Sequence, residues 1–192
     1  MINTPTSNNN SKQSKSTEIS YYNSLTDTTN HPISIELLLD LVHTGTGFKN
    51  KIIELRQVNE KNKKNEIKKQ LPAVTISGLF ENNRKFENLV SYSGFIQIDF
   101  DNVVDIIQSK KALQNDEFTF AVFISPSGKG LKLLVKVPLD KTKHLQSFKE
   151  LEKYYKINYD LVVDKQCKDI ARLMFLSWDE NIFVNENSKE WI

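Results

Sequence analysis

The chain has 192 residues, enough for one domain with a buried core. It carries 26 Lys or Arg and 24 Asp or Glu, so the formal net charge is only +2 and attraction to nucleic acid would need a local basic patch. The single cysteine excludes an internal disulfide and a cysteine-rich zinc site. No apolar run is long enough for a membrane span and no secretory signal is evident, so we expect a cytoplasmic protein without a membrane partner.

The N-terminal segment is rich in Ser, Thr, Asn and Gln, which cannot bury enough apolar surface to offset ordering entropy. This composition predicts a disordered polar tail over 1–17 and a single domain over 18–192. Ile19, Tyr21 and Tyr22 predict an outer strand at the start of that domain. Leucines at helical spacing between Ser34 and Gly45 predict a short capped helix.

A basic segment follows this helix. Residues 49–69 contain eight Lys or Arg against three Glu, and the spacing of apolar residues predicts one long helix. Two interpretations remain open: a solvated helix surface, or a surface that binds nucleic acid. The candidate nucleic-acid contacts are Lys61, Lys63, Lys64, Lys68 and Lys69.

After Pro72 the pattern becomes mainly β, in the runs "AVTISGLF", "GFIQIDF", "FTFAVFIS", "LKLLVKV" and "RLMFLSW". Helical patterns intervene at "VVDIIQSKKALQ" and "KTKHLQSFKELEKYYK". Strands that alternate with helices but are in places joined by turns indicate an α+β fold with a mixed or antiparallel sheet.

Two carboxylates end the run "SGFIQIDFDN". Because side chains alternate along a strand, Asp99 and Asp101 should share the face opposite Ile96, Ile98 and Phe100. Two negative charges about 6 to 7 Å apart repel, and a divalent cation between them would reverse the sign of that interaction. The pair therefore indicates a site for Mg²⁺ or Mn²⁺. The alternative is that Asp101 or Asn102 merely caps the following helix.

A Gly-containing turn lies between the next two strands, in "FISPSGKGLKLLVKV". Its backbone amides, hydroxyls and lysine are of the kind that bind phosphate, although the same residues also make ordinary hairpin turns. The candidate nucleotide contacts are Ser125, Ser127 and Lys129, with Lys132 at the mouth of the turn.

A third segment, "VVDKQCKDIARLMFLS", places Asp164 eight residues before Arg172. These residues suit a further metal ligand and a phosphate contact, but Asp164 or Asp169 can equally pair with neighbouring Lys or Arg at the surface. The choice between Asp164 and Asp169 as the third acid stays open, with Asp164 preferred.

Taken in order, the three segments resemble the motifs of the archaeo-eukaryotic primase-polymerase superfamily. The chain is most similar to the primase-like domain at the N-terminus of virulence-associated E (VirE-type) proteins of mobile elements and prophages, from about Ile19 to Asn185. The resemblance implies a primase-polymerase catalytic core, with an RNA-recognition-motif-like sheet and a second small α/β unit. It also implies template-directed nucleotidyl transfer for replication of a mobile element, with Asp99, Asp101 and Asp164 as catalytic metal ligands.

By the same resemblance, Ser125, Ser127, Lys129, Lys132 and Arg172 would contact the nucleotide. The implied partners are a single-stranded DNA template, nucleoside triphosphates and a helicase-like ATPase on another chain. One departure matters: members of the superfamily usually have His where this chain has Lys132, and lysine does not carry protons near pH 7 as histidine does. His144 is expected at the surface and is not expected to substitute.

Two alternative functions remain open. The first is a catalytically inactive module that binds single-stranded nucleic acid through the basic helix and through Phe95, Phe118, Phe120 and Phe123, although these phenylalanines are expected in the core. The second is a metal-dependent nuclease that uses the same acidic residues.

Overall fold

The computed structural model describes residues 17–192, so the predicted tail lies outside the described residues except for its last position. The helices are α1 (Ile35–Thr44), α2 (Lys49–Gln57), α3 (Lys61–Lys69), α4 (Ile106–Gln114) and α5 (His144–Tyr159). The strands are β1 (Glu18–Tyr22), β2 (His31–Ser34), β3 (Ala73–Thr75), β4 (Gly78–Phe80), β5 (Leu89–Tyr92), β6 (Phe95–Phe100), β7 (Thr119–Ile124), β8 (Leu131–Lys136), β9 (Met174–Phe175) and β10 (Phe183–Val184). Short 3₁₀ turns cover Phe86–Asn88, Lys141–Lys143 and Lys165–Lys168.

The strands form two four-stranded sheets and one hairpin. The first sheet has the order β2-β1-β3-β9, the second has the order β10-β7-β8-β6, and β4 pairs with β5. All these neighbouring strands are antiparallel. The predicted α+β class is therefore confirmed, with antiparallel sheets. No helix within residues 17–192 has the length and apolar character needed to cross a membrane.

Two apolar cores lie on opposite faces of the second sheet. One face packs against the first sheet and helices α1 and α2, and it contributes Phe95, Phe120 and Phe123. The other face packs against α5, and Phe118 lies at the edge of that core. The expectation that these four phenylalanines belong to the core is confirmed.

The helix beginning after Ser34 is also confirmed. The Ser34 side chain accepts a hydrogen bond from the Leu37 amide, and the helix ends at Gly45 with φ +68°, where glycine carries no steric penalty.

The prediction of one long helix over residues 49–69 is wrong, because the chain forms α2 and α3 with a break between them. The backbones of Val58 and Glu60 are extended, with ψ 135° and 126°. Asn59 between them is a poor helix former. The buried residues of α2 are Ile52 and Leu55, so this helix belongs to the core, whereas α3 buries little besides Ile67.

The register between β6 and β8 determines where Asp99, the first residue of the acidic pair, lies. Ile96, Ile98 and Phe100 lie in the second core, as the alternation predicts. Asp99 stands directly opposite Lys132 on the other face. β6 is an edge strand, and residues 163 and 164 lie along that edge through the Phe100–Val163 bridge and the hydrogen bond from the Asp164 amide to the Asp99 carbonyl.

Gly130 allows β8 to approach the end of β6. A Cβ at this position would lie 2.2 Å from the Phe100 carbonyl oxygen and 3.4 Å from the Asp101 Cα. Because the first of these contacts is with backbone, a side chain would force the two strands apart. Glycine at 130 thus keeps the acidic pair close to the Ser125–Gly130 turn.

We expect Gly130→Ala to lower the free energy of unfolding by about 3 kcal/mol, because the new methyl group overlaps main-chain atoms. Gly47→Ala is the control: its Cβ would meet nothing within 4 Å, and only the positive φ of +85° opposes it, at about 1 kcal/mol. Urea denaturation of both variants measures the difference. Equal losses would contradict the close-approach argument.

Candidate active site

A cleft of about 770 Å³ brings the three sequence segments together between the two large sheets. The predicted site residues in its lining are Asp99, Asp101, Asp164, Ser125, Ser127, Lys132 and Arg172. Lys129 is exposed and does not contribute to this lining. Of the five predicted lysines of α3, Lys68 lines the cleft and Lys61, Lys63, Lys64 and Lys69 do not.

The strongest polar contact in the cleft joins Asp99 and Lys132. The Lys132 Nζ donates to Asp99 Oδ2 over 2.5 Å, and the two side chains are only 8% and 19% exposed. The other carboxylate oxygen, Asp99 Oδ1, is buried and has no hydrogen-bond partner among the described residues. One oxygen of Asp99 is therefore neutralised by lysine, and the other remains available to a further cation or donor.

Asp101 is exposed and lies where β6 ends. The chain turns at Asn102, whose φ is +51°, and the Val103 amide then donates to the Lys129 carbonyl. Helix α4 is capped by Asp105, which accepts from the Gln108 amide over 2.9 Å. The interpretation of Asp101 or Asn102 as the helix cap is thus wrong, and the Asp101 carboxylate is not used for capping.

The Ser125–Gly130 turn is closed by its own hydrogen bonds. The Ser125 amide donates to the Gly130 carbonyl and the Gly128 amide to the Ser125 carbonyl, both over 2.9 Å. The hydroxyls of Ser125 and Ser127 lie 3.2 Å apart. The Lys129 amide also donates to the Ser127 hydroxyl over 3.4 Å, so three amides are occupied inside the turn. The Ser125 and Ser127 hydroxyls still have protons to donate, and these two groups, together with Lys132, are what this wall offers to a ligand.

Asp164 and Arg172 form a loose pair across the cleft wall. Arg172 Nη2 lies 3.6 Å from Asp164 Oδ2, and Asp164 Oδ1 accepts from the Gln166 amide over 3.0 Å. Asp169 also lines the cleft and accepts from the Ala171 amide. Both candidates for the third acid therefore line the cleft, and each carboxylate already accepts a hydrogen bond from the backbone amide two residues later in the chain.

Several cleft residues were missed from sequence. Arg84 and Lys85, in the loop between β4 and β5, line the cleft, and Arg84 lies over the Tyr22 ring at 5.4 Å. The polar run "ENNRKF" was a signal for this basic loop. Arg56 of α2 holds the Ser125–Gly130 turn without lining the cleft: its Nη2 donates to the carbonyls of Trp178 and Ser125 over 2.8 and 3.4 Å.

The cleft combines both signs of charge. Its lining contains five acidic side chains, from Asp27, Asp99, Asp101, Asp164 and Asp169. It also contains five basic side chains, from Lys68, Arg84, Lys85, Lys132 and Arg172. This mixture suits a ligand that itself carries cations and anions better than a simple anion or a simple cation.

The residues fit a divalent cation in part. Carboxylate oxygens are the ligands that Mg²⁺ and Mn²⁺ prefer, and Asp99 Oδ1 is a buried oxygen without a partner among the described residues. However, within residues 17–192 no group of three or more His, Cys, Asp or Glu is arranged to hold a metal ion. The Lys132 ammonium also occupies Asp99 Oδ2, a position from which it repels a cation.

Two titratable residues near the site are buried, and burial shifts the pKa of each. Cys167 is a packed thiol, and burial, with the Asp99 charge as a smaller cause, raises its pKa to about 12. The prediction that His144 lies at the surface is wrong: it is 4% exposed, and burial lowers its pKa to about 4. The helix α5 places it against Tyr92, whose hydroxyl lies 2.9 Å from His144 Nδ1.

Comparison with known proteins gave one family and two solved structures. The model of the family described as BT4734-like, N-terminal domain, matches residues 66–183. No curated protein matches the chain.

The first solved structure is primase RepB', at 15% identity and a TM-score of 0.38, over 91% of this chain and 52% of that one. The second is the catalytic domain of primase RepB' in complex with initiator DNA, at 15% identity and a TM-score of 0.39, over 91% of this chain and 78% of that one. This chain thus spans about half the length of the first primase structure. Such low TM-scores do not support an assignment of fold or function.

We expect Lys132→Met to lower the free energy of unfolding by about 2–3 kcal/mol, because it leaves the Asp99 carboxylate without its counter-charge in a largely buried place. Adding Asp99→Asn should restore at least half of that loss, because the remaining amide carries no charge. A double-mutant cycle by urea denaturation measures the coupling. Strictly additive losses would show that the two side chains do not interact in solution.

Proposed function

We propose that this chain, which belongs to the BT4734-like N-terminal domain family, is a primase or primase-polymerase domain. Its reaction would be template-directed nucleotidyl transfer in the replication of a mobile element. The observation that carries the proposal is the cleft, in which residues from three segments between Asp99 and Arg172 face one another. The finer fold expected from the motifs, an RNA-recognition-motif-like sheet with a second small α/β unit, is part of this proposal.

The basic side chains of the cleft would bind the triphosphate of the incoming nucleotide. Lys132 and Arg172 both line the cleft, together with Ser125 and Ser127, whose hydroxyls lie 3.2 Å apart. Phosphate oxygens accept hydrogen bonds from all of these groups. Lys68, Arg84 and Lys85 add positive charge further along the lining, where a nucleic-acid backbone would pass.

Asp99 and Asp101, with Asp164 or Asp169, would hold Mg²⁺ or Mn²⁺ brought in with the nucleotide. Such an ion would supply the charge that assists attack by a primer hydroxyl and departure of pyrophosphate. In this arrangement the Lys132 ammonium can bind either the Asp99 carboxylate or the nucleotide phosphate. A shift of its ammonium from Asp99 Oδ2 to phosphate would free a second carboxylate oxygen as the nucleotide enters.

The test is primer synthesis and primer extension on single-stranded DNA, with Mg²⁺ or Mn²⁺ and with ribo- or deoxynucleotides. We expect metal-dependent product from the wild type and a loss of about 10³-fold or more in Asp99→Asn/Asp101→Asn, because the carboxylates would hold the ion.

Asp160→Asn/Glu180→Gln is the matched control for this test. It also removes two carboxylate charges, at exposed positions outside the cleft, and the φ of +53° at residue 160 is one that Asn tolerates. Product from the double variant at the level of the control would refute the catalytic role of the acidic pair.

A second candidate is a module of the same fold that binds single-stranded nucleic acid without catalysis. The observation that favours it is the Asp99–Lys132 ion pair, because lysine occupies one metal-facing oxygen and no three-acid cluster is arranged for a metal within residues 17–192. This candidate predicts no product from any variant and unchanged oligonucleotide affinity in Asp99→Asn/Asp101→Asn. Primer synthesis by the wild type separates the two candidates, and fluorescence anisotropy with a labelled oligonucleotide checks that binding is retained.

A further inference from the structure

A second concavity, which we call the side groove, lies next to the cleft and encloses about 630 Å³. It is formed by the loop before β5, the start of α5 and the end of the last 3₁₀ turn. The lining residues that matter here are Phe86, Lys141, His144, Lys149, Lys168 and Asp169.

The side groove is basic and has an aromatic wall. Lys149 and Lys168 are exposed, and neither has a carboxylate within ion-pair distance among the described residues. Phe86 is 53% exposed, an unusual state for so large an apolar side chain. Lys141 Nζ lies 5.2 Å from the centre of its ring, so charge and an aromatic surface are combined in one place.

His144 adds a buried polar atom to the same lining. Its Nδ1 faces the Tyr92 hydroxyl at 2.9 Å, whereas its Nε2 is buried and has no hydrogen-bond partner within residues 17–192. A buried polar atom without a partner is costly unless something satisfies it. The ring belongs to the lining of the groove, but Nε2 is covered, so a ligand there can supply that partner once the side chains around the ring shift.

The side groove adjoins the cleft along one segment of chain. Asp169 lines both, the preceding Lys168 lines the groove, and Ala171 to Leu173 line the cleft. A ligand chain that crosses this segment from the cleft would reach the groove. Among biological ligands, single-stranded nucleic acid matches this combination of exposed lysines and a half-exposed aromatic side chain.

We propose that the side groove binds an unpaired nucleotide of the single-stranded DNA that passes through the cleft. The base would lie against Phe86 and meet His144 Nε2, and the flanking phosphates would contact Lys149 and Lys168. This proposal rests on the proposed function, because it places the template strand of that reaction.

The experiment measures binding of a fluorescent single-stranded oligonucleotide by anisotropy, in the full chain and without metal or nucleotides. We expect Phe86→Ala to weaken binding about fivefold or more through lost stacking. We expect Lys149→Gln/Lys168→Gln to weaken it by about tenfold and to reduce the slope of log affinity against log salt by about 1.4, since each lost phosphate contact contributes about 0.7.

Lys111→Gln/Lys153→Gln is the matched control, because both lysines are exposed, line neither concavity and have no carboxylate partner among the described residues. A second readout is photo-cross-linking of an oligonucleotide that carries iododeoxyuridine, with the expected adduct at Phe86.

Groove variants that bind like the control, or cross-links confined to other surfaces, would overturn the proposal and leave the groove to another partner such as an acidic protein segment. The two proposals fail separately. Absence of product from the wild type refutes the reaction, whereas unchanged DNA binding in the groove variants refutes the groove.

Discussion

The antiparallel pairing of β6 with β8 is the constraint on which the rest of the site depends. This register puts Asp99 opposite Lys132 and turns their side chains toward the first sheet, while the alternate residues fill the core against α5. A shift of one residue would turn both charges into that core, at a cost of several kcal/mol per ion, which is a large part of the stability of an ordinary domain. The close approach at Gly130 and the strand edge along Val163 then bring in the other two segments.

The Asp99–Lys132 pair also determines the charge of the cleft before any ligand arrives. An acidic cluster without a counter-charge repels itself, and here lysine supplies the compensation that a metal ion would otherwise provide. The Lys132 ammonium keeps this position unless another anion attracts it. Entry of a triphosphate offers such an anion, so nucleotide and cation should favour each other's binding.

Local features of the site could be predicted from sequence, because they follow from strand alternation and turn chemistry over a few residues. The faces of β6 and β8 and the Ser125–Gly130 turn belong to this class. Features that depend on long-range packing could not. The break between α2 and α3, the entry of Arg84 into the cleft and the burial of His144 all depend on neighbours distant in the chain. The Asp99–Lys132 ion pair is an intermediate case. Both residues were candidates from the sequence, but the strand register that places them opposite each other could not be predicted from it.

The segment from Lys168 to Arg172 lies between the cleft and the side groove. On the cleft side Arg172 pairs with Asp164, and Lys168 and Asp169 line the side groove. The chain just before the segment is fixed by the hydrogen bond from the Asp164 amide to the Asp99 carbonyl, and inside the segment the Arg172 amide donates to the Asp169 carbonyl. Under the proposed function, a strand bound in the groove would contact the same segment that positions Arg172. Groove and cleft would then be coupled through these five residues, and template binding would help to align the proposed nucleotide site.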